Sequence, residues 1–493
     1  MPFTSTASRH ACMASQRQRP LVAALIALLA CASPDMRATP ANVAPSAAAP
    51  RAPKVVGNCN DAGSGSLRDA VAHAVDGDTI DLTQLSCSVI SLSTGAIVIS
   101  AQDLTLHGPG AEGLLINSAG HPGDGVLYNV VGGTLKVQDL SVAFGAKYSD
   151  YGVARGGCIF SVGNVELDGA HVYACTTHST GSNDGAGGAL YAQGSVKLIH
   201  SVLDQGGVTV GSGTGRGGGV FAGGDLVMAY STISDFRVAA ASSGRGGGAY
   251  AAGRLISKYS TISNNSVDEI TNSSGGGVAT NGGAVILFST ISGNHAHVGG
   301  GLYLGPGESG DDAIVYESTL SGNTAAAGGG MTANVPLSLY NSTVAFNTIP
   351  FQSGGVIGTV QGAGLDLRKS PVRIDGSIIA GNLAVGTPDR PSDVGGEFSI
   401  TVTGSHNLIN HIAQPGLTDT INADPLLGPL RLNGGMTATH ALLPGSPAIN
   451  AGNNTRNSDT DQRGEGFPRV LGGVADIGAY EVDPDRIFVD GFE

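Results

Sequence analysis

The chain has 493 residues, of which 78 are glycine and 13% are charged; no Gly-X-Y period accompanies the glycine, so collagen is excluded and strands joined by tight turns are implied. The net charge of −14 argues against nucleic acid as a partner, because an acidic chain repels the phosphate backbone. It also handicaps binding of anionic glycans unless calcium or a local basic groove intervenes, a handicap that salt reduces.

Residues 1–32 carry a basic stretch, Arg17 to Arg19, and an apolar run, Leu21 to Ala30, too short to span a bilayer. This predicts a signal peptide. Two cleavage modes stay open: Ala30-Cys31-Ala32 fits an A-x-A site, whereas Leu28-Leu29-Ala30-Cys31 resembles a bacterial lipobox that would place a lipid on Cys31. A Pro/Ala-rich linker follows over 33–57, and no later apolar run approaches membrane-spanning length. The mature chain is therefore expected to be exported and at most lipid-tethered, with no transmembrane helix.

Residues 58–100 are predicted to form an N-terminal cap and first coil. Ser66 precedes Leu67, Ala70, Val71, Ala74 and Val75, with Asp69 in the first turn, the pattern of a capped amphipathic helix. Four cysteines lie beyond the leader, and pairing in order gives Cys59–Cys87 and Cys158–Cys175; connectivity does not follow from spacing alone, but zinc lacks any C-x-x-C.

From 101 to 421 one pattern recurs. An apolar-x-apolar unit is followed three residues later by an anchor at Pro109, Leu140, Ala170, Ser201, Ser231, Ser260, Ser289, Ser318, Ser342, Ser377 and Ser405. Pairs such as Val165/Leu167, Val196/Leu198 and Ile400/Val402 alternate with polar residues, which is a half-buried strand rather than a helix. A unit of about 30 residues cannot bury its apolar side alone, so it must stack on its neighbours as a solenoid. Before each strand stand glycine pairs such as Gly156-Gly157 and Gly187-Gly188, needed where φ is positive or backbones crowd. Five residues beyond successive anchors stand Asn265, Asn294, Asn323, Asn347, Asn382 and Asn410, a predicted structural ladder of amides.

Coils of this size and composition resemble the right-handed parallel β-helix, and the repeated units are similar to those of bacterial surface β-helix proteins and polymorphic outer membrane proteins. The resemblance implies an all-β, right-handed stack of about 11–12 coils with an N-terminal capping α-helix. Gly65 to Leu82 resembles the N-terminal segment of CSLREP-type proteins, with Gly65 in place of their cysteine. Over 422–481, Asp424-Pro425-Leu426-Leu427, Asp461-Gln462-Arg463-Gly464 and Asp476-Ile477-Gly478-Ala479-Tyr480-Glu481 look like the choice-of-anchor Q domain, which implies a modular surface or secreted protein. The tail, 482–493, is similar to a short terminus on exported gammaproteobacterial proteins, either a sorting signal or a frayed end. An extracellular or outer-membrane surface location in a Gram-negative bacterium is the expectation.

Catalytic chemistry is poorly represented. The acid clusters of β-helix hydrolases are missing apart from Asp311-Asp312, and Arg216 and Arg245, one coil apart, are either an anion site or an exposed pair neutralised by Asp184 or Asp225. No catalytic residue is assigned. Asp459 and Asp461 could ligate calcium through oxygen or belong to a solvated loop; no other cofactor is implied. A candidate binding face follows the outward positions Val227, Ile256, Val285 and Ile314, with Leu287, Tyr316 and Tyr340 two places on and Tyr230, Tyr259 and Phe288 as an aromatic column. A loop could cover it, or a glycan, host-surface or cell-envelope component could bind it. Two functions remain open: a non-catalytic adhesin-like or structural scaffold, and a carbohydrate-active lyase or hydrolase with atypical motifs.

Overall fold

The computed structural model describes residues 51–484 apart from 119–122, 151, 269–270, 308–310, 351–361, 387–388 and 413. The leader, Cys31 and most of the tail lie outside the described residues. The chain from Arg51 onward forms one compact unit, an all-β parallel solenoid of about 11 turns with almost no helix.

Three long sheets of 13, 15 and 11 strands make its faces, and a five-stranded side sheet adds a fourth face to the middle coils. One coil shows the order: Leu190–Ala192 in the 11-stranded sheet, Val196–Ile199 in the 13-stranded sheet, Val202–Val210 in the 15-stranded sheet, and Thr214–Arg216 in the side sheet. Register is strict, with Val196 opposite Leu226 and Leu198 opposite Met228, so each apolar pair points into the same interior as its neighbours. Val165, Leu167, Val196, Leu198, Leu337 and Leu339 are all at most 2% exposed and belong to one core cluster. Ser257, the polar exception, shares a hydrogen bond with the Ser289 hydroxyl at 3.1 Å.

The anchor serines form a ladder of their own. Each hydroxyl donates to the carbonyl two residues back and accepts the backbone N–H of the anchor one coil before: Ser201 N–H donates to Ser231 Oγ, Ser231 to Ser260, Ser260 to Ser289, Ser289 to Ser318, Ser318 to Ser342 and Ser342 to Ser377. The amide ladder runs beside it. Asn265 Nδ2 donates to Asn294 Oδ1 at 3.0 Å, and the chain continues through Asn323 and Asn347 to Asn382.

Both ladders end differently from the sequence expectation. Asn382 donates to Asp393 Oδ1 at 2.8 Å, whereas Asn410 turns away to the Ala423 carbonyl. Likewise Ser377 N–H donates to Asn407 Oδ1, not to Ser405. The cause is a register shift of two residues: Val402 lies opposite Val372, where the repeat spacing would have put Ile400.

Glycines at the corner before the 11-stranded sheet have positive φ in a column, Gly156, Gly187, Gly217, Gly246, Gly275, Gly299 and Gly328. The next glycine is constrained by crowding instead, since a Cβ on Gly188 would collide with the Gly218 carbonyl oxygen. Near the N-terminus, Ser66 Oγ accepts the Asp69 N–H at the start of a six-residue helix, Leu67–Ala72, whose Leu67 and Val71 are buried in the main core cluster. Disulfides join Cys59 to Cys87 and Cys158 to Cys175.

Replacing Asn323 by Ala strips partners from Asn294, Asn347 and the Ile291 carbonyl at once. Each buried group left unpaired costs about 1–3 kcal/mol. The expected result is a chemical-unfolding midpoint well below wild type, whereas Asn410→Ala, off the ladder, moves it by less than a quarter as much.

Candidate functional site

The predicted binding face divides in two. Along the corner between the 13- and 15-stranded sheets, His200, Tyr230, Tyr259, Phe288, Glu317 and Asn341 occupy one column of positive-φ residues. The rings of His200, Tyr230, Tyr259 and Phe288 stack with centroids 5.1, 5.2 and 4.8 Å apart. The C-terminal region lies across the later part of this column. Thr437 Oγ1 donates to the Phe288 carbonyl, Arg456 donates to the Tyr340 hydroxyl at 2.6 Å, and Gly464 approaches the Tyr259 ring so closely that a Cβ there would sit 3.1 Å away. Tyr316 is capped in turn by Ser458. Tyr259, Phe288, Tyr316 and Tyr340 are therefore covered by this chain's own C-terminal region. Tyr230, between His200 and Tyr259, remains 39% exposed. Val227, Ile256, Ile314 and Leu287 are half-buried by their rungs above and below, and Val285 is buried.

The motif residues of 422–481 are what hold that terminus down. Asp461 receives Arg463 through Nε and Nη2 and also accepts the Glu481 backbone N–H. The Arg463 guanidinium is sandwiched between Phe467 and Tyr480, 4.1 and 3.8 Å from their centroids. Gln462 accepts from Thr319 Oγ1 at 2.6 Å and donates to Thr290 Oγ1 and Thr437 Oγ1. Buried His440 bridges Ser321 Oγ and the Gly428 carbonyl, and burial holds its pKa below the usual imidazole value. Of the two candidate calcium ligands, Asp461 has both oxygens engaged in these contacts and Asp459 is exposed; among the described residues no group of three or more metal-ligating side chains gathers.

At the centre of the bracket, Arg469 is fully buried between Glu317 of the solenoid at 3.2 Å and Glu481 at 3.7 Å. With Asp461, Asp476 and Arg463 close by, four buried carboxylates face two guanidiniums. Burial pushes Glu317 up to about 8 and Glu481 up to about 7, because Arg469 offsets only part of the desolvation.

A second concave surface lies on the opposite side of the coil, and the sequence reading missed it. The outward column of the 11-stranded sheet is aromatic for five rungs: Tyr128, Phe160, Tyr191, Phe221 and Tyr250, with successive centroids 5.1, 5.5, 4.7 and 5.3 Å apart. The side sheet stands beside this column as a wall, raised on a small core of its own that includes Val208, Val210 and Val238. Arg155, Arg216 and Arg245 are on the wall, and the Arg155 guanidinium sits 5.2 Å from the Tyr191 ring centroid. Where the wall ends, a cavity of about 430 Å³ opens. Ser243, Arg245, Asn272, Ser273 and Ser274 line one side of it, and Tyr303, Thr332, Asn334 and Arg368 the other.

A correctable signal for the groove exists in the sequence. In five coils the positive-φ glycine stands one residue before the glycine pair that precedes the strand's apolar residue, as Gly217 does before Gly218-Gly219, so Val220 aligns with Ile159 rather than with Cys158. A one-residue slip moves every side chain to the other face, which hid the aromatic column. Of the remaining candidates, Arg216 pairs with Asp184 at 3.2 Å and Asp312 with Arg254 at 3.0 Å. Neither pair lies in the cavity lining.

No protein-family model, curated protein or solved structure matches the chain. No helix among the described residues is long and apolar enough to cross a membrane.

Because Glu317 and Glu481 keep their protons when docked but would lose them near the ordinary carboxylate value when released, docking binds protons. Its stability is greatest at mildly acidic pH and falls as pH rises from the ordinary carboxylate range through 7 and 8. Amide exchange over residues 437–482 should accelerate across that range more than exchange in the mid-solenoid strands, and Glu317→Gln should flatten the dependence.

Proposed function

We propose that the chain is an exported, non-catalytic β-solenoid scaffold, an adhesin-like or structural surface protein that presents one long groove to a glycan or to a host or cell-envelope surface. The observation that carries this reading is the chemistry of the groove's cavity. Among the described residues its lining offers guanidinium, hydroxyl and amide groups but no carboxylate, imidazole, amine or thiol. Guanidinium is a poor proton acceptor at any physiological pH, and a hydrolase would need two carboxyl groups flanking the bond it breaks. Such a lining suits recognition, not bond cleavage.

The surrounding structure supports the same reading. Long stacked sheets give a rigid surface that a ligand can meet without reordering the protein, which lowers the cost of binding. Two disulfides suit an oxidising compartment outside the cytoplasm. The leader, the lipobox-like Cys31 and the resemblance to choice-of-anchor proteins agree with attachment at a cell surface.

Incubating the purified chain with a panel of neutral and acidic polysaccharides, with and without calcium, tests the reading directly. No unsaturated or reducing products should appear, while one or more of the polymers retards the protein in affinity electrophoresis. Reproducible turnover of any polymer would replace the scaffold with a carbohydrate-active enzyme.

A further inference from the structure

We propose that the cavity at the end of the side sheet binds the acidic group of an anionic saccharide, one bearing carboxylate or sulfate, with Arg245 as its counter-ion. The inference rests on the scaffold reading and adds the ligand class. Arg245 is exposed in the cavity, and among the described residues no carboxylate pairs with it. Its neighbours on the same surface are already matched: Arg216 by Asp184, and Arg368, across the cavity, by Asp366 at 2.7 Å. One guanidinium fork is thus left to engage an oxyanion in two parallel hydrogen bonds.

The rest of the lining selects what carries that oxyanion. The aromatic stack breaks after Tyr250, because the next rung is Ala279, and the rung after it is Tyr303. No ring among the described residues stacks on Tyr303, so it offers an aromatic surface to a sugar. Ser243, Asn272, Thr332 and Asn334 add donors and acceptors on both sides, whereas Val298 is the one aliphatic residue in the lining. That balance fits a polyhydroxylated ligand and lacks the apolar subsites that would anchor peptide side chains. The wall continues past Arg216, which Asp184 neutralises, to Arg155 beside the Tyr191 ring, so the groove leads away from the anion site towards a second guanidinium.

The test is calorimetry on the exported chain with three probes: an oligouronate, a sulfated oligosaccharide and a neutral oligosaccharide of the same length, with inorganic sulfate as a fourth arm. At least one acidic oligosaccharide should bind about tenfold or more tightly than the neutral one, and more weakly as salt rises. Arg245→Gln, an exposed change that circular dichroism should show to be folded, should lower that affinity about tenfold, and Arg216→Gln less than about threefold. The uronate and sulfated arms identify which acid is read. Equal affinity for the neutral sugar, equal affinity for inorganic sulfate alone, full affinity in Arg245→Gln, or no binding to any probe would overturn the proposal. Cleavage of a probe would sink the scaffold reading and leave the anion site standing, so the two failures are distinguishable.

Discussion

In a parallel stack held in register, every side chain faces its counterpart one strand spacing away, about 4.8 Å above and below. A column is stable only if its members tolerate their own kind or alternate with something complementary. Amides both donate and accept, so five asparagines follow one another without a break. Hydroxyls do the same for the anchor serines, and rings stack. Like charges cannot, and the outward columns show the remedy: Glu166 is placed between Lys136 and Lys197 and pairs with both. On the side sheet Ala186 separates Arg155 from Arg216, Asp184 neutralises Arg216, and Arg245 at the end of the run is left over.

The same constraint explains where the C-terminal region settles. The corner column changes from rings to Glu317 and then Asn341, a carboxylate that cannot stack on the Phe288 ring before it. Asn341 meets one of its oxygens, and the Arg469 guanidinium reaches the same oxygen from outside the repeat. Burying this cluster is expensive, and an apolar contact of equal volume would hold as well or better. What the polar contacts add is a fixed position: the Glu317–Arg469 pair and the Arg456–Tyr340 contact each fit one rung and the Gln462 bonds one adjacent pair, Thr290 and Thr319, so the C-terminal region has one register on a surface that otherwise repeats.

Much of the interior was legible because it repeats. The alternation at Val165/Leu167 and Val196/Leu198 names its face without ambiguity, and so do the serine and asparagine columns through Ser377 and Asn382. Legibility fails where the repeat slips by one or two residues. Near Ser405 an asparagine at 407 can take over the hydroxyl's role from a different register, and spacing alone does not distinguish the two. In the glycine corners, three consecutive glycines make the alignment degenerate, and the slip exchanged inside for outside. The C-terminal bracket was legible only as a motif, because its partners are more than 100 residues away in sequence.

The groove depends on a change that the repeat length conceals. Seventeen residues separate Thr261 from Val278, the starts of successive strands in the 15- and 11-stranded sheets, but only 12 separate Thr290 from Leu302 on the next coil. Five residues fewer reduce the side strand there to single bridges, Ser274 with Val298 and Val298 with Ala327, so the last full strand of the wall is Ser273–Ser274. Ser260, Ser289 and Ser318 are nevertheless evenly spaced at 29 residues, because the shorter coil regains length between Leu304 and Ala313, on the other side of the same strand. Redistribution of chain within a coil of constant length thus turns a walled trough into a cavity, and it does so beside Arg245, which among the described residues has no acid of its own.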